Sequence, residues 1–305
     1  MTPAIVPFAE GQKRLDWLAL VAALKNGHQG PKAEINDLFL YRGADTLLSR
    51  SAWIDGMGLL TKTATVFPEN PKFGQPMVGG GVMFFDDQNG QLAAVIDFHL
   101  ITKWKTASDS LMAALALASA DARKILIVGA GTVGRSLVEA FGAGYPDANF
   151  TIWNRSPAGA QAFAKATGAA VAVDLETAVG AADIILTCTT STEPIIKGVW
   201  LRPGQHLNMI GAYRPDMREA DDEVLQKSLL FVDSFDTTLG HIGELKIPLE
   251  TGVITREHVQ ADYYNLAAFQ ARPEDITVFK NGGGAHLDLM TARYVLDQWQ
   301  GLKST

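Results

Sequence analysis

The sequence predicts an α/β protein, with a doubly wound parallel sheet over the second part of the chain and a smaller mixed α/β domain formed by the first third and the tail. Two patterns carry that expectation. From Lys124 onward, short continuous apolar runs alternate with helical segments, as expected of strands covered on both faces. Ahead of Lys124, strand segments cluster around a hairpin signal and are followed by a long helical stretch.

In chain order, Leu15–Asn26 has apolar residues at helical spacing, with Gly27 placed to end the helix. Leu38–Tyr41, Gly58–Val66, Val82–Asp86 and Leu92–Asp97 read as strands, the last two joined through Asn89-Gly90, a hairpin turn signal. Thr106–Ala118 reads as a helix. The second pattern starts with the strand Ile125–Val128, a glycine turn and the helix Val133–Phe141. Phe150–Trp153 is followed by the helix Pro157–Thr167, and Ala170–Val173 by Leu175–Ala181. Asp183–Cys188, His206–Ile210, Leu229–Asp233 and Thr277–Lys280 supply further strands, and Leu287–Trp299 is again helical. We place the domain crossings near Ala118 and Gly284, giving residues 1–118 with 285–305 as one domain and 119–284 as the other.

Composition narrows the function classes. Of 305 residues, 47% are hydrophobic and 19% charged, a globular balance. A net charge of −7 argues against a nucleic-acid groove or an anionic membrane surface as the main partner. The single cysteine, Cys188, excludes an internal disulfide and a zinc site built on thiolates. The N-terminal segment has no signal-peptide core, and no apolar run reaches the ~18 residues of a membrane span. A soluble, cytoplasmic protein is the expectation.

Gly129-Ala130-Gly131-Thr132-Val133-Gly134 stands between a strand and a helix, with a second strand about twenty residues on, which is the context a dinucleotide-binding GxGxxG requires. The first glycine permits the tight turn, and the second lets backbone approach a pyrophosphate. The third packs helix on strand, and the helix N-terminus, with Thr132 and Val133 in its first turn, faces the negative charge. The end of the second strand decides which dinucleotide binds. An NAD site places a carboxylate there, whereas this chain has Asn154-Arg155-Ser156. Arg155 and Ser156 are placed to hold a 2′-phosphate, Arg155 through its planar charged fork, so NADPH is expected, with NADH as a weaker alternative. The bland reading makes Arg155 a solvated loop residue.

Arg42, Lys62 and Lys105 each sit beside apolar or β-rich sequence. Taken singly each reads as a surface charge, but the order of motifs around them is specific. The segments Tyr41–Gly43, Lys62–Asn70 (KTATVFPEN), Ile101–Ala107, GAGTVG, Asp183–Ile196, Gly211–Asp221 and Val278–Ala292 together resemble the ornithine cyclodeaminase/mu-crystallin family over nearly the whole chain. The resemblance implies a Rossmann domain plus an α/β substrate-binding and dimerisation domain, a homodimer, and an active site in the cleft between domains. It also implies a small amino- or imino-acid substrate whose carboxylate is clamped by basic residues. It assigns Arg42 and Lys62 to the substrate, and it places Lys105 where the family usually has a second arginine, keeping the charge but losing the bidentate fork.

A second departure bears on the reaction. The cyclodeaminase branch carries an acid after a Gly-Gly pair, whereas Gly211-Ala212-Tyr213 stands here, and Tyr213 is no carboxylate. Similarity of the Tyr213–Asp221 segment to the reductase branch implies reduction of a cyclic ketimine carboxylate. Δ1-Pyrroline-2-carboxylate to L-proline is the first candidate and Δ1-piperideine-2-carboxylate the second. Lys62 is then the leading proton donor, with a substrate already protonated from water as the other route. The rivals are alanine-dehydrogenase-like reductive amination of an open-chain keto acid, ornithine cyclodeamination, and a non-catalytic NADPH/ligand-binding protein.

Asn281 and Gly282 begin a glycine loop after the strand Thr277–Lys280; it reads both as a close approach to the nicotinamide and as a domain hinge. Thr189 and Thr190, with Ser191, follow a strand C-terminus, where ligands of such sheets bind; contact with the nicotinamide ribose and a plain polar turn stay open. The six histidines lack metal-ligand spacing, no metal is expected, and Cys188 reads as a buried small hydrophobe.

Overall fold

The first third of the chain builds one mixed sheet. In the computed structural model, which describes residues 2–302, β1 (Ala4–Val6) leads through α1 (Phe8–Gly11) to α2 (Trp17–Gly27). Asp16 caps α2 by accepting from the Ala19 amide at 2.8 Å, so the helix starts two residues later than its apolar spacing suggests. Strands β2 (Glu34–Arg42), β3 (Asp45–Ile54), β4 (Gly58–Val66), β5 (Val78–Phe85) and β6 (Leu92–Asp97) follow. They pair antiparallel in the order β6-β5-β4-β3-β2, and β1 adds parallel to β6. The sequence showed part of β2 but not β3, whose residues mix apolar, hydroxyl and charged types.

The next helix, α3 (Phe98–Leu117), begins eight residues ahead of the expected Thr106. Asp97 caps it by accepting from the Leu100 amide at 3.0 Å, while Phe98, Leu100, Ile101 and Trp104 are buried. Lys105 therefore lies in mid-helix rather than at a helix start. The last helix, α10 (Ala285–Gln300), packs on β3, β4 and α2. The chain divides into Met1–Lys105 with Gly284–Thr305 and Thr106–Gly283. The first crossing lies inside α3 instead of near Ala118, because one continuous helix carries residues of both units.

The second unit is an eight-stranded all-parallel sheet. Its elements are β7 (Lys124–Val128), α4 (Thr132–Gly144), β8 (Asn149–Trp153), α5 (Pro157–Thr167), β9 (Ala170–Val171), α6 (Leu175–Ala181) and β10 (Ile184–Thr187). There follow β11 (His206–Met209), α7 (Asp222–Gln226), β12 (Leu229–Val232), α8 (Phe235–Thr238), α9 (Gly243–Glu250), β13 (Val259–Ala261) and β14 (Thr277–Lys280). The strand order β9-β8-β7-β10-β11-β14-β12-β13 is doubly wound, reversing direction between β7 and β10, which makes this a Rossmann-type fold. Strand β14 inserts between β11 and β12. Its short run was legible, but its neighbours were not, since they lie far off in sequence.

The core of this unit is apolar but also encloses many polar and charged side chains. His206 on β11 is fully buried, with Thr277 Oγ1 2.8 Å from Nδ1 and Asn208 Oδ1 3.1 Å from Nε2. Burial lowers its pKa from 6.5 to about 4, against the opposing hydrogen bond to Asn208. The unfolded imidazole takes up a proton below pH 6.5, whereas the folded one resists it until about pH 4. Stability present above pH 6.5 is thus lost as the pH falls toward 4, by roughly 3 kcal/mol from this group. Urea unfolding of the parent and of His206→Gln at pH 7 and pH 4.5 is expected to show a smaller acid loss in the variant.

Among the described residues, no helix is long and apolar enough to cross a membrane.

Candidate active site

Two groups of residues can carry chemistry, one in each unit. In the second unit, β7 ends in the glycine turn and α4 starts at Thr132, with Gly131 as an N-cap that offers no side-chain hydrogen bond. Gly129 has φ +117°, and a Cβ there would stand 2.8 Å from the Cys188 carbonyl oxygen, so only glycine fits. Gly134 lets α4 close on the turn: a Cβ would stand 2.7 Å from the Gly129 carbonyl oxygen. Around Gly131 the space is open, with no atom within 4 Å of where a Cβ would be. An uncapped helix N-terminus facing open space at the strand reversal suits a pyrophosphate. The turn lines a crevice of about 310 Å³ together with Asn154, Arg155, Thr189 and Thr190.

Asn154 braces this turn, its Oδ1 accepting from the Ala130 amide at 3.2 Å and its Nδ2 donating to the Ser156 carbonyl at 3.1 Å. Ser156 caps α5, accepting from the Gly159 amide at 3.3 Å, which leaves its hydroxyl proton to donate elsewhere. Arg155 is exposed, and among the described residues its guanidinium makes no hydrogen bond or ion pair in the structure. No acid lies in the crevice lining.

The loop after β10 is held by a residue that the sequence did not single out. Glu219, fully buried, accepts from the Thr189 amide at 2.7 Å and the Thr189 hydroxyl at 2.8 Å. Its other oxygen accepts from the Thr187 hydroxyl at 2.8 Å and the Gly211 amide at 2.7 Å. Thr189 thus spends its hydroxyl proton on Glu219, whereas Thr190 is exposed. Behind Glu219, Glu244 accepts from the Glu219 and Ala220 amides. Burial, with Glu219 adding to it, pushes the Glu244 carboxyl up to about 7. In a sequence, Glu219 is one more acid in a charged loop, and only the fold buries it.

Asn281 is likewise structural in its contacts: its Nδ2 donates to Asp109 Oδ2 at 2.6 Å and Ser110 Oγ at 3.2 Å. The amides of Gly282 and Gly283 both donate to Asp233 Oδ2, at 2.9 and 2.6 Å. Tyr213, after β11, is exposed.

In the first unit, Lys62 on β4 is buried and donates to Asp288 Oδ1 on α10 at 2.8 Å. Arg50 stands directly opposite Lys62 in the β3–β4 register, so the two side chains share a face. Its Nη2 pairs with Asp37 Oδ2 at 2.7 Å, and its Nη1 lies 3.9 Å from Asp288 Oδ2. Lys105 on α3 is also buried and acts electrostatically on both Lys62 and Asp288. Burial lowers the Lys62 pKa from 10.5 to about 8; Asp288 opposes this, while Lys105 and Arg50 add to it. Burial alone would raise the Asp288 carboxyl, but Lys62, Lys105 and Arg50 hold it below the usual carboxylate range. The Phe98 ring, 4.9 Å from Lys62 Nζ, covers the ammonium.

Arg42 is not part of this cluster. It closes the β2–β3 hairpin opposite Asp45, its side chain 81% exposed and paired with the Asp45 carboxylate at 2.8 Å. Lys62 and Lys105 therefore come together as expected, but the guanidinium beside them is that of Arg50. The hairpin turn at Gly43, at φ +58°, sets Arg50 opposite Asp37, and the separate pairing of β3 with β4 sets it opposite Lys62.

The profile of the ornithine cyclodeaminase/mu-crystallin family matches residues 54–303. The chain is 46% identical over 303 residues, covering 96% of both chains, to a Δ1-pyrroline-2-carboxylate reductase of Paracoccus denitrificans. It is 34% identical to the mouse ketimine reductase mu-crystallin over 249 residues, 80% of this chain and 77% of that one. Among solved structures, the Δ1-pyrroline-2-carboxylate reductase of Thermococcus litoralis, in complex with NADH and L-proline, superposes with a TM-score of 0.89. It is 25% identical and covers 99% of each chain.

Proposed function

We propose, from the premise that the chain belongs to the ornithine cyclodeaminase/mu-crystallin family and is an oxidoreductase acting on carbon–nitrogen bonds, that it reduces a cyclic ketimine carboxylate with NADPH. Its proposed substrate is Δ1-pyrroline-2-carboxylate, giving L-proline. The observation that carries this reading is the buried Lys62 with its two neighbouring cations, Arg50 and Lys105, around a single shared carboxylate. Buried cations brought together in this way suit a carboxylate ligand, and a lysine whose pKa is near 8 is poised to give up a proton.

When bound, NADPH supplies the hydride. The protein's residues do the rest. Lys105 and Lys62 hold the substrate carboxylate and so fix the position of the adjacent imine carbon. The Lys62 ammonium gives a proton to the ring nitrogen as the C=N bond becomes CH–NH, and it is recharged from water. The turn at Gly129, Gly131 and Gly134, with the Thr132 and Val133 amides, takes the pyrophosphate. Arg155 and Ser156 take the 2′-phosphate, and Asn154 keeps the turn in shape. Thr189, Thr190, Asn281 and Gly282 shape the nicotinamide end, Thr189 and Asn281 through the loops they anchor. The exposed apolar residues Leu38, Leu40 and Tyr41 of the edge strand β2 support a homodimer that covers them, which sedimentation of the whole chain reads directly.

Gly131→Val separates cofactor binding from folding. The residue has φ −83°, ψ −173° and no neighbour near its Cβ position, so the thermal midpoint is expected to stay close to the parent's. Fluorescence titration is expected to show NADPH binding lost at concentrations that saturate the parent. The activity itself is tested by NADPH consumption with Δ1-pyrroline-2-carboxylate, alongside pyruvate plus ammonia and a no-substrate control. Turnover with the cyclic imine alone supports the reading. Turnover only with pyruvate and ammonia moves the chain to reductive amination, and tight NADPH binding without turnover makes it a binding protein.

A further inference from the structure

Three charged side chains act on Lys62, and they do not act alike. Asp288 donates no proton and accepts one hydrogen bond, from Lys62, at 2.8 Å. Its other oxygen, Oδ2, is buried without a hydrogen-bond partner, and Arg50 Nη1 stops 3.9 Å away from it. Arg50 is kept at that distance by Asp37, which holds its Nη2 at 2.7 Å. The register that sets Arg50 opposite Lys62 on the adjacent strand puts two cations side by side. Lys105, from α3, is the third. Strand β5, on the other side of β4, carries no charged residue in Val78–Phe85.

We infer that Asp288 and Arg50 are opposed positioning residues for the Lys62 proton, with Asp288 retaining it and Arg50 helping to expel it. Neither needs to touch the substrate. That this controls catalysis rests on the reading of Lys62 as the proton donor; that it controls the charge on Lys62 does not.

A monocarboxylate substrate brings a negative charge to Lys62. Its arrival opposes the repulsion from Arg50 and Lys105, so Lys62 is more fully protonated in the complex than in the free protein. The donor is charged by the substrate that needs its proton.

The direct test follows the Lys62 ¹³Cε resonance in lysine-labelled whole protein without substrate, assigned by its loss in Lys62→Met. The titration midpoint is expected to fall in Asp288→Asn and to rise in Arg50→Met, each by about one pH unit, a tenfold change in acidity. Asp288→Glu, which keeps the charge, is expected to stay near the parent. Midpoints that move in the same direction in the Asn and Met variants, or that do not move, overturn the inference. Should Asp288→Asn fail to fold, the upward shift in Arg50→Met still decides it.

Kinetics give an independent arm. The alkaline fall of kcat/KM for the cyclic ketimine is expected at lower pH in Asp288→Asn and higher pH in Arg50→Met, and in the parent the fall of kcat at higher pH than that of kcat/KM. Shifted resonances in a protein that reduces no ketimine would sink the proposed activity and leave the charge relationship standing. Ketimine reduction with unmoved resonances would do the reverse.

Discussion

Lys62→Met is expected to lower kcat/KM for Δ1-pyrroline-2-carboxylate by about a thousandfold, within the 10²–10⁴ range usual for a general acid. The loss should fall mainly on kcat, because Lys105 still attracts the carboxylate while the ring nitrogen has lost its donor. The substitution has a structural side effect. It leaves the fully buried Asp288 without its 2.8 Å partner, and stranding a buried charge costs about 3–5 kcal/mol. The double variant Lys62→Met/Asp288→Asn removes that penalty, so it is expected to recover the parent's thermal midpoint but none of its activity. Steady-state rates beside a melting curve separate the two effects. Near-parent kinetics in the single variant would take Lys62 out of the reaction.

The second large effect is expected at the cofactor. Arg155→Ala should weaken NADPH binding roughly 30-fold, the worth of a charge-assisted hydrogen bond of about 2 kcal/mol, while NADH binding stays within a factor of about two. The basis is an exposed guanidinium that makes no intramolecular bond, at the strand end where an NAD site places an acid. Because Arg155 supports nothing in the fold, the melting temperature is expected to be unchanged. Fluorescence titrations with both dinucleotides read the ratio. Equal loss for the two would mean that Arg155 steers anions in general and does not recognise a 2′-phosphate.

The second unit was legible because its central strands are buried on both faces and α5, α6 and α7 carry their own caps. Ile125–Val128, Pro157–Thr167 and the glycine turn are each specified by residues within a few positions of one another. The position of β14 between β11 and β12 is not local, and no run of residues announces it. The crevice at the glycine turn was legible for the same reason as its strands: Gly129, Asn154 and Thr189, which line it, all follow strand ends.

The cation cluster was half legible. Lys62 and Lys105 stood out as charges in apolar surroundings, and the fold buries both. Arg50 was missed because Ser49-Arg50-Ser51 on β3 reads as polar surface, and only pairing with β4 turns it toward Lys62. Asp288 was missed because an acid in a terminal helix is ordinarily solvated, and here α10 buries it against the sheet. Arg42 was drawn in by its neighbours in sequence, yet the turn at Gly43 carries it to the hairpin tip.

The central claim is transfer of hydride from NADPH to the imine carbon of a cyclic ketimine carboxylate. The most direct measurement is mass analysis of the product formed from Δ1-pyrroline-2-carboxylate and NADPH doubly deuterated at C4 of the nicotinamide. The account predicts L-proline carrying one deuterium at its α-carbon. Absence of proline, or proline without the label, would contradict it.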